Sequence, residues 1–198
     1  MASSEVEICN IALNHLGADS TIASLTEQST EARQCNILYA PSRDYILRKH
    51  PWGFAEKVVA LSSLGSPPPD WSYRYQYPSD CIKIREVLTG DRNVSDPVPY
   101  KVAAGDDLNS RVILSDKDEA YLRYTARVTN AAVFDASFVQ MLAWYMAVQL
   151  AMPLTGKKSI RDDALVGYQL ISGDAEATDS NEKEPDEHKE ASWVKART

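Results

Sequence analysis

Between Phe138 and Met152 the chain is apolar nearly all the way round a helix, with Gln140 and Gln149 as its polar interruptions. A helix with so little polar surface has to be enclosed, by other helices, by neighbouring subunits, or by both. Asp135 is placed to cap its start, and Pro153 to Gly156 end it. The run is shorter than the ~20 residues that cross a bilayer, so it predicts the central helix of a soluble protein. No signal peptide is expected, because Met1-Ala2-Ser3-Ser4 leads straight into charged residues.

Further helices are expected at both ends of the chain. Ser4-Glu5-Val6-Glu7 has the form of a capping box, followed by Val6, Cys9, Leu13 and Leu16 at helical spacing and by Gly17 as a stop. Ser29 or Thr30 caps a second helix that reaches about Lys49, with Ala32, Cys35, Tyr39 and Ile46 on one side. Pro41 removes a hydrogen bond inside it, so the expectation is a kink or a break. A further helix runs from Ser159 to about Ser172.

From about Ala55 to Thr129 the period shifts from 3.6 toward 2. Strands are expected at 57–61, 71–77, 81–87, 98–102, 112–114 and 120–128, forming a small antiparallel sheet or barrel. In the second, Trp71, Tyr73, Tyr75 and Tyr77 alternate and would share one face. The fold class is therefore α+β. A helical bundle domain of residues 1–54 and 130–173 is closed by N- and C-terminal helices, and an antiparallel β domain of residues 55–129 is inserted in it. Residues 174–198 form an extended acidic tail or arm.

Charge narrows the function. Eight carboxylates against two lysines between Asp174 and Glu190 give that stretch −6 of the chain's −7, leaving the remainder almost neutral. A protein that grips DNA by its phosphates carries a basic face, and no basic stripe is evident here. Cys9, Cys35 and Cys81 are odd in number and sit in apolar patterns, which fits buried free thiols in a reducing compartment. They make no zinc-ligand spacing with His15, His50 or His188.

No phosphate loop or nucleophile elbow occurs, so no catalytic, cofactor-binding or metal-binding residue is expected. A glycosidase-like pair could be assembled from, for example, Asp80 and Glu86. His50 reads as a general base or, more blandly, as a histidine closing a helix. The aromatic face reads as core or subunit packing, or as a platform for sugar rings or bases. Trp52 and Phe54 are expected at the junction of helices and strands, with Phe138, Met141 and Tyr145 as domain or subunit packing residues. Arg43 and Asp44, adjacent along a helix, should each pair elsewhere. Trp193 near the end of the acidic tail, with Val194 and Arg197, is an anchor for a partner's pocket.

Several short strings occur in a fixed order. They are Leu38-Tyr39-x-Pro41-x-Arg43-Asp44, His50-Pro51-Trp52-x-Phe54-Ala55 and Trp71-Ser72-Tyr73-x-Tyr75-Gln76-Tyr77-Pro78, then Tyr124-x-Ala126-Arg127-Val128 and Phe134-Asp135-x-x-Phe138. Leu150-Ala151-x-Pro153-Leu154-Thr155-Gly156 and Ser192-Trp193 complete the series. In this the chain resembles the tail tubular protein A family, the head-to-tail adaptors of short-tailed bacteriophages and prophages. The resemblance implies a structural virion protein made in the host cytoplasm and placed at the head-tail junction. It implies a ring of twelve copies between the portal and a tail nozzle of the tail tubular protein B kind, through which genomic DNA passes without sequence-specific binding. It implies no enzymatic activity and no cofactor. Trp193, Val194 and Arg197 would then meet the portal or a neighbouring subunit. The competing readings are a tail-associated polysaccharide hydrolase and a carbohydrate- or peptide-binding module.

Overall fold

The computed structural model describes residues 4–18, 21–90 and 98–182, with backbone alone from 174. Four helices and two small antiparallel sheets make a mixed α+β fold. Helix α1 (Glu5–His15) starts where Ser4 Oγ accepts the Glu7 amide at 3.2 Å, and the positive φ of Gly17, 68°, follows its end. Helix α2 (Thr30–Lys49) is capped by Ser29, whose hydroxyl accepts from the Ala32 amide. Helix α3 (Ala136–Thr155) is capped by Asp135 and stopped by Gly156 in the left-handed region. Helix α4 spans Lys158–Glu182.

Six strands occupy the interval between α2 and α3, at the places where the alternating runs predict them. They are β1 (Glu56–Ala60), β2 (Tyr73–Gln76), β3 (Cys81–Leu88), β4 (Tyr100–Ala104), β5 (Arg111–Ser115) and β6 (Tyr121–Ala126). They pair as two three-stranded sheets, in the orders β1-β6-β3 and β2-β5-β4, rather than as one sheet. The stretch after β1 joins them. Leu61 donates its amide to Ala120 beside the first sheet, while the Ser62 carbonyl accepts from Gln76 and the Leu64 amide reaches Arg74 in the second. Tyr75 and Ile113 from one sheet and Val87, Leu122 and Tyr124 from the other then fill a common core.

The helices form a second core. α3 touches α1, α2 and α4, and Phe138, Met141, Leu142, Met146 and Leu150 are wholly buried there. The over-apolar helix thus finds its enclosure within one chain, and packing of those residues against a neighbouring subunit is not needed to explain it. At 20 residues α3 is long and apolar enough by composition to cross a membrane, longer than the run from Phe138 suggests; here it lies among the other three helices.

Three further expectations are corrected. α2 continues through Pro41 as one helix, so of the kink or break expected there the break is overturned. Pro41 and Ile37 both face solvent, the side from which water can reach the carbonyl that proline leaves unpaired. Trp71 lies outside the strand, its amide bonded to the Pro68 carbonyl in a turn. Only Tyr73, Tyr75 and Tyr77 remain with the shared core. α4 continues ten residues beyond Ser172, to Glu182, so the first part of the expected tail is helical.

Candidate functional site

Two concave surfaces flank the strands, and each includes residues singled out from sequence, Trp71 in the first and Asp44 and Arg127 in the second. The first covers the outer side of β2, β4 and β5. There Pro67, Pro68 and Trp71 arch over Val112 and Leu114 and leave a cavity of about 560 Å³. Its polar lining is Asp70, Arg74, Lys101 and Asp106. Arg74 donates to Asp106 at 2.9 Å, while its buried Nε has no acceptor. An indole beside paired carboxylates and cations is the chemistry that holds a hydroxyl-rich ligand, by stacking and by fixed donors and acceptors.

The second is an open cleft of about 390 Å³ at the seam between α2 and the strands. Arg48 from α2, Arg111 from the start of β5 and Arg127 just past β6 converge on it, with Tyr45 and Ile82 as apolar wall and Asp44 as the one lining carboxylate. Asp44 is already shared. Its Oδ1 accepts from Arg43 Nε and Nη2 at 3.0 and 2.8 Å, and its Oδ2 from Arg127 Nε at 2.8 Å. Asp44 thus does pair elsewhere, with Arg127, but Arg43 pairs with Asp44 itself, against expectation, because the guanidinium is long enough to fold round the helix to its neighbour.

Arg48 Nη1 donates to the Ile82 carbonyl at 2.7 Å, and the Arg111 guanidinium lies 4.0 Å above the centre of the Tyr77 ring. Cys81 adds no negative charge, since burial pushes its thiol above the ordinary value. Burial also pushes Tyr77 up to about 12, with the hydrogen bond to Cys81 adding to it. Sequence reading misses this cleft because the arginines lie 63 and 16 residues apart, at 48, 111 and 127. The available signal is the string Arg43-Asp44 together with Arg127, each in a motif already noticed.

Above the cleft, the aromatic strings meet. Trp52 is fully buried and donates Nε1–H to the Ile46 carbonyl at 3.0 Å. Its ring meets Phe138 edge-on at 5.1 Å, and Phe54 contacts both Phe134 and Phe138 at 5.7 and 5.0 Å. Arg85 of β3 ties the strands to this corner, donating to the Trp52 carbonyl at 2.7 Å and pairing with Glu56. Trp52 and Phe54 thus sit where helices and strands join. His50 caps the end of α2 and packs edge-on against Trp52 at 5.0 Å. Tyr145 is half-buried, stacked on Tyr45 at 4.7 Å and leaning on Tyr168. Trp193, Val194 and Arg197 lie outside the described residues.

Asp80 and Glu86 are each engaged with their own cation. Asp80 accepts from Lys57 and from Tyr124 Oη, both at 2.8 Å, and Glu86 pairs with Arg123. Burial works to raise the Asp80 carboxyl, but the bonds from Lys57 and Tyr124 outweigh it and hold its pKa below the usual value. That favours a fixed anion over a proton donor. Cys9 and Cys35, distant in sequence, come together as buried free thiols, and their mutual hydrogen bond with burial holds Cys9 protonated. Among the described residues, no three His, Cys, Asp or Glu side chains gather as a metal ion would require. The chain matches no protein-family model and no curated protein.

Proposed function

We propose that the chain is a head-to-tail adaptor of a short-tailed bacteriophage or prophage. In this reading it forms a ring, of twelve copies, between portal and tail nozzle and continues the DNA channel. The finer architecture belongs to the same reading: a bundle of residues 1–54 and 130–173, an inserted β domain of 55–129, and an acidic arm of 174–198 that grips the portal or the next subunit through Trp193, Val194 and Arg197.

The observation that carries the proposal is the meeting of the strings on which the resemblance rests. Asp44 from the first pairs with Arg127 from the fourth at 2.8 Å, and Trp52 and Phe54 from the second pack on Phe138 from the fifth. Residues scattered over about a hundred positions thus build one seam, and that convergence is the support the reading takes from the fold. A second support is apolar surface. On α4, Val166 and Leu170 are 55% and 70% exposed and one turn apart, a patch that a neighbouring copy would cover.

Negative-stain electron microscopy of this protein mixed with the portal from the same genome, with and without residues 181–198, tests the reading. An added ring with the full chain alone is expected; no added density with either chain, both folded, refutes it. The Trp71 cavity favours a second reading, a carbohydrate-binding module or a hydrolase. A compact monomer whose binding to a polysaccharide is lost in Trp71→Ala would select it.

A further inference from the structure

Arg48 and Arg111 hold uncompensated positive charge beside the Arg127–Asp44 pair in a chain of net charge −7. A guanidinium has five N–H donors. Arg48 spends one on the Ile82 carbonyl, and Arg111 offers its face to Tyr77. Neither meets a carboxylate among the described residues, and Asp44 is divided between Arg43 and Arg127. The cleft is therefore set for an anionic occupant that can also lie against Tyr45 and Pro41.

We infer that this cleft receives the acidic segment Glu184–Glu190 of a second copy of the chain. That segment carries Glu184, Asp186, Glu187 and Glu190 against Lys189 within seven residues, followed closely by Trp193. It lies outside the described residues, beyond the end of α4 at Glu182. Carboxylates match arginine forks in bidentate geometry, and Trp193 supplies the apolar part that Tyr45 and Pro41 would face. Nucleic acid is the weaker occupant. The body of the chain carries no basic stripe to hold a long polyanion, whereas a short segment on a neighbouring copy arrives at high effective concentration. Segment and cleft are different surfaces of one chain, so the contact can pass head to tail from copy to copy, the kind of interface that builds a ring where its rotation closes. Which copy supplies the segment rests on the ring reading; the complementarity of segment and cleft does not.

A fluorescein-labelled peptide of residues 181–198, titrated with the full chain and followed by anisotropy, tests this. A parallel titration uses a chain carrying Glu184→Gln, Asp186→Asn, Glu187→Gln and Glu190→Gln, whose own segment cannot compete. Saturable binding that weakens with salt is expected. Arg48→Gln/Arg111→Gln should reduce it at least about tenfold, as should the same four neutralisations in the peptide. Arg111→Gln alone, which breaks no hydrogen bond or ion pair among the described residues, repeats the test if the double variant misfolds. Absence of saturable binding to the neutralised chain, or equal binding to the arginine variants, overturns the inference. Short duplex DNA that binds the full chain, loses binding in the same variants and displaces the peptide would overturn it in favour of nucleic acid. Peptide binding without a ring on the portal would sink the adaptor reading alone, and a ring without peptide binding would sink this inference alone.

Discussion

Two glycines on one helix should respond to the same substitution with opposite signs. In α4 a Cβ built on Gly167 falls 2.4 to 2.6 Å from three atoms of the Trp144 benzo ring, while one built on Gly173 meets nothing within 4 Å. Carbon atoms in ordinary contact stand ~3.5–4 Å apart, so Gly167→Ala requires a shift of roughly 1 Å between α3 and α4. The indole cannot yield freely, because it stacks on His15 with ring centres 3.7 Å apart and planes at 11°. Overpacking of this kind costs ~1–3 kcal/mol, and the better helix propensity of alanine returns ~1 kcal/mol. The net expectation is a loss of about 1 kcal/mol, and up to about 2, for Gly167→Ala, against a gain of up to about 1 for Gly173→Ala. Urea unfolding followed by circular dichroism measures both. In a Trp144→Leu background, where the benzo ring is gone, Gly167→Ala should gain up to about 1 kcal/mol as Gly173→Ala does, giving a coupling energy of ~1–3 kcal/mol. If Gly167→Ala stabilises as much as Gly173→Ala does, the helix contact is not tight and the reasoning fails.

Trp52→Phe strands the Ile46 carbonyl that the indole now satisfies and should cost ~1–3 kcal/mol; an unchanged urea midpoint would show that water takes over the bond. Asp44→Asn weakens the partner of Arg43, whose side chain is only 7% exposed, and should lose ~1.5–3 kcal/mol. Arg127→Gln, at a side chain 45% exposed, should stay within ~1 kcal/mol, and similar losses from both would place the energy in the outer ion pair instead. Burial holds the His15 imidazole below its ordinary 6.5, and its Nε2 has no partner. The unfolded chain therefore takes up this proton first, so the contribution is complete above about 6.5 and is lost as pH falls below it toward the folded value. Urea midpoints between about pH 7.5 and about 5.5 should decline less in His15→Gln than in the parent, and identical slopes would count against it.

How much of this the sequence discloses depends on whether the signal is local. All six strands were readable because alternating runs were separated by residues such as Pro67–Pro69, Gly90 and Gly105. Caps at Ser4, Ser29 and Asp135 were readable because serine and aspartate satisfy nearby amides. The break at Pro41 does not form because the lost hydrogen bond is a local signal, whereas the continuity of α2 is set by its packing on α3. Trp71 misled because its alternation with Tyr73 continued past the point where the turn at Pro68 takes over. The requirement that α3 be enclosed was visible, but not that the chain's own helices meet it. The convergence of Arg48 and Arg111 on Arg127 and the Cys9–Cys35 contact are not legible, since each joins side chains from separate elements.

The position of α3 also orders the events of synthesis. α1 and α2 leave the ribosome first, yet the helix they pack against is complete only at Thr155. The strands have every pairing partner once Ala126 has emerged. At ~5–20 residues per second, the roughly hundred residues between Lys49 and Thr155 leave the apolar faces of α1 and α2 waiting for about 5–20 s. The middle of this chain is able to fold before its beginning, and during that wait Ile8, Leu13 and Ile46, all buried at the end, are the side chains a nascent-chain chaperone would find.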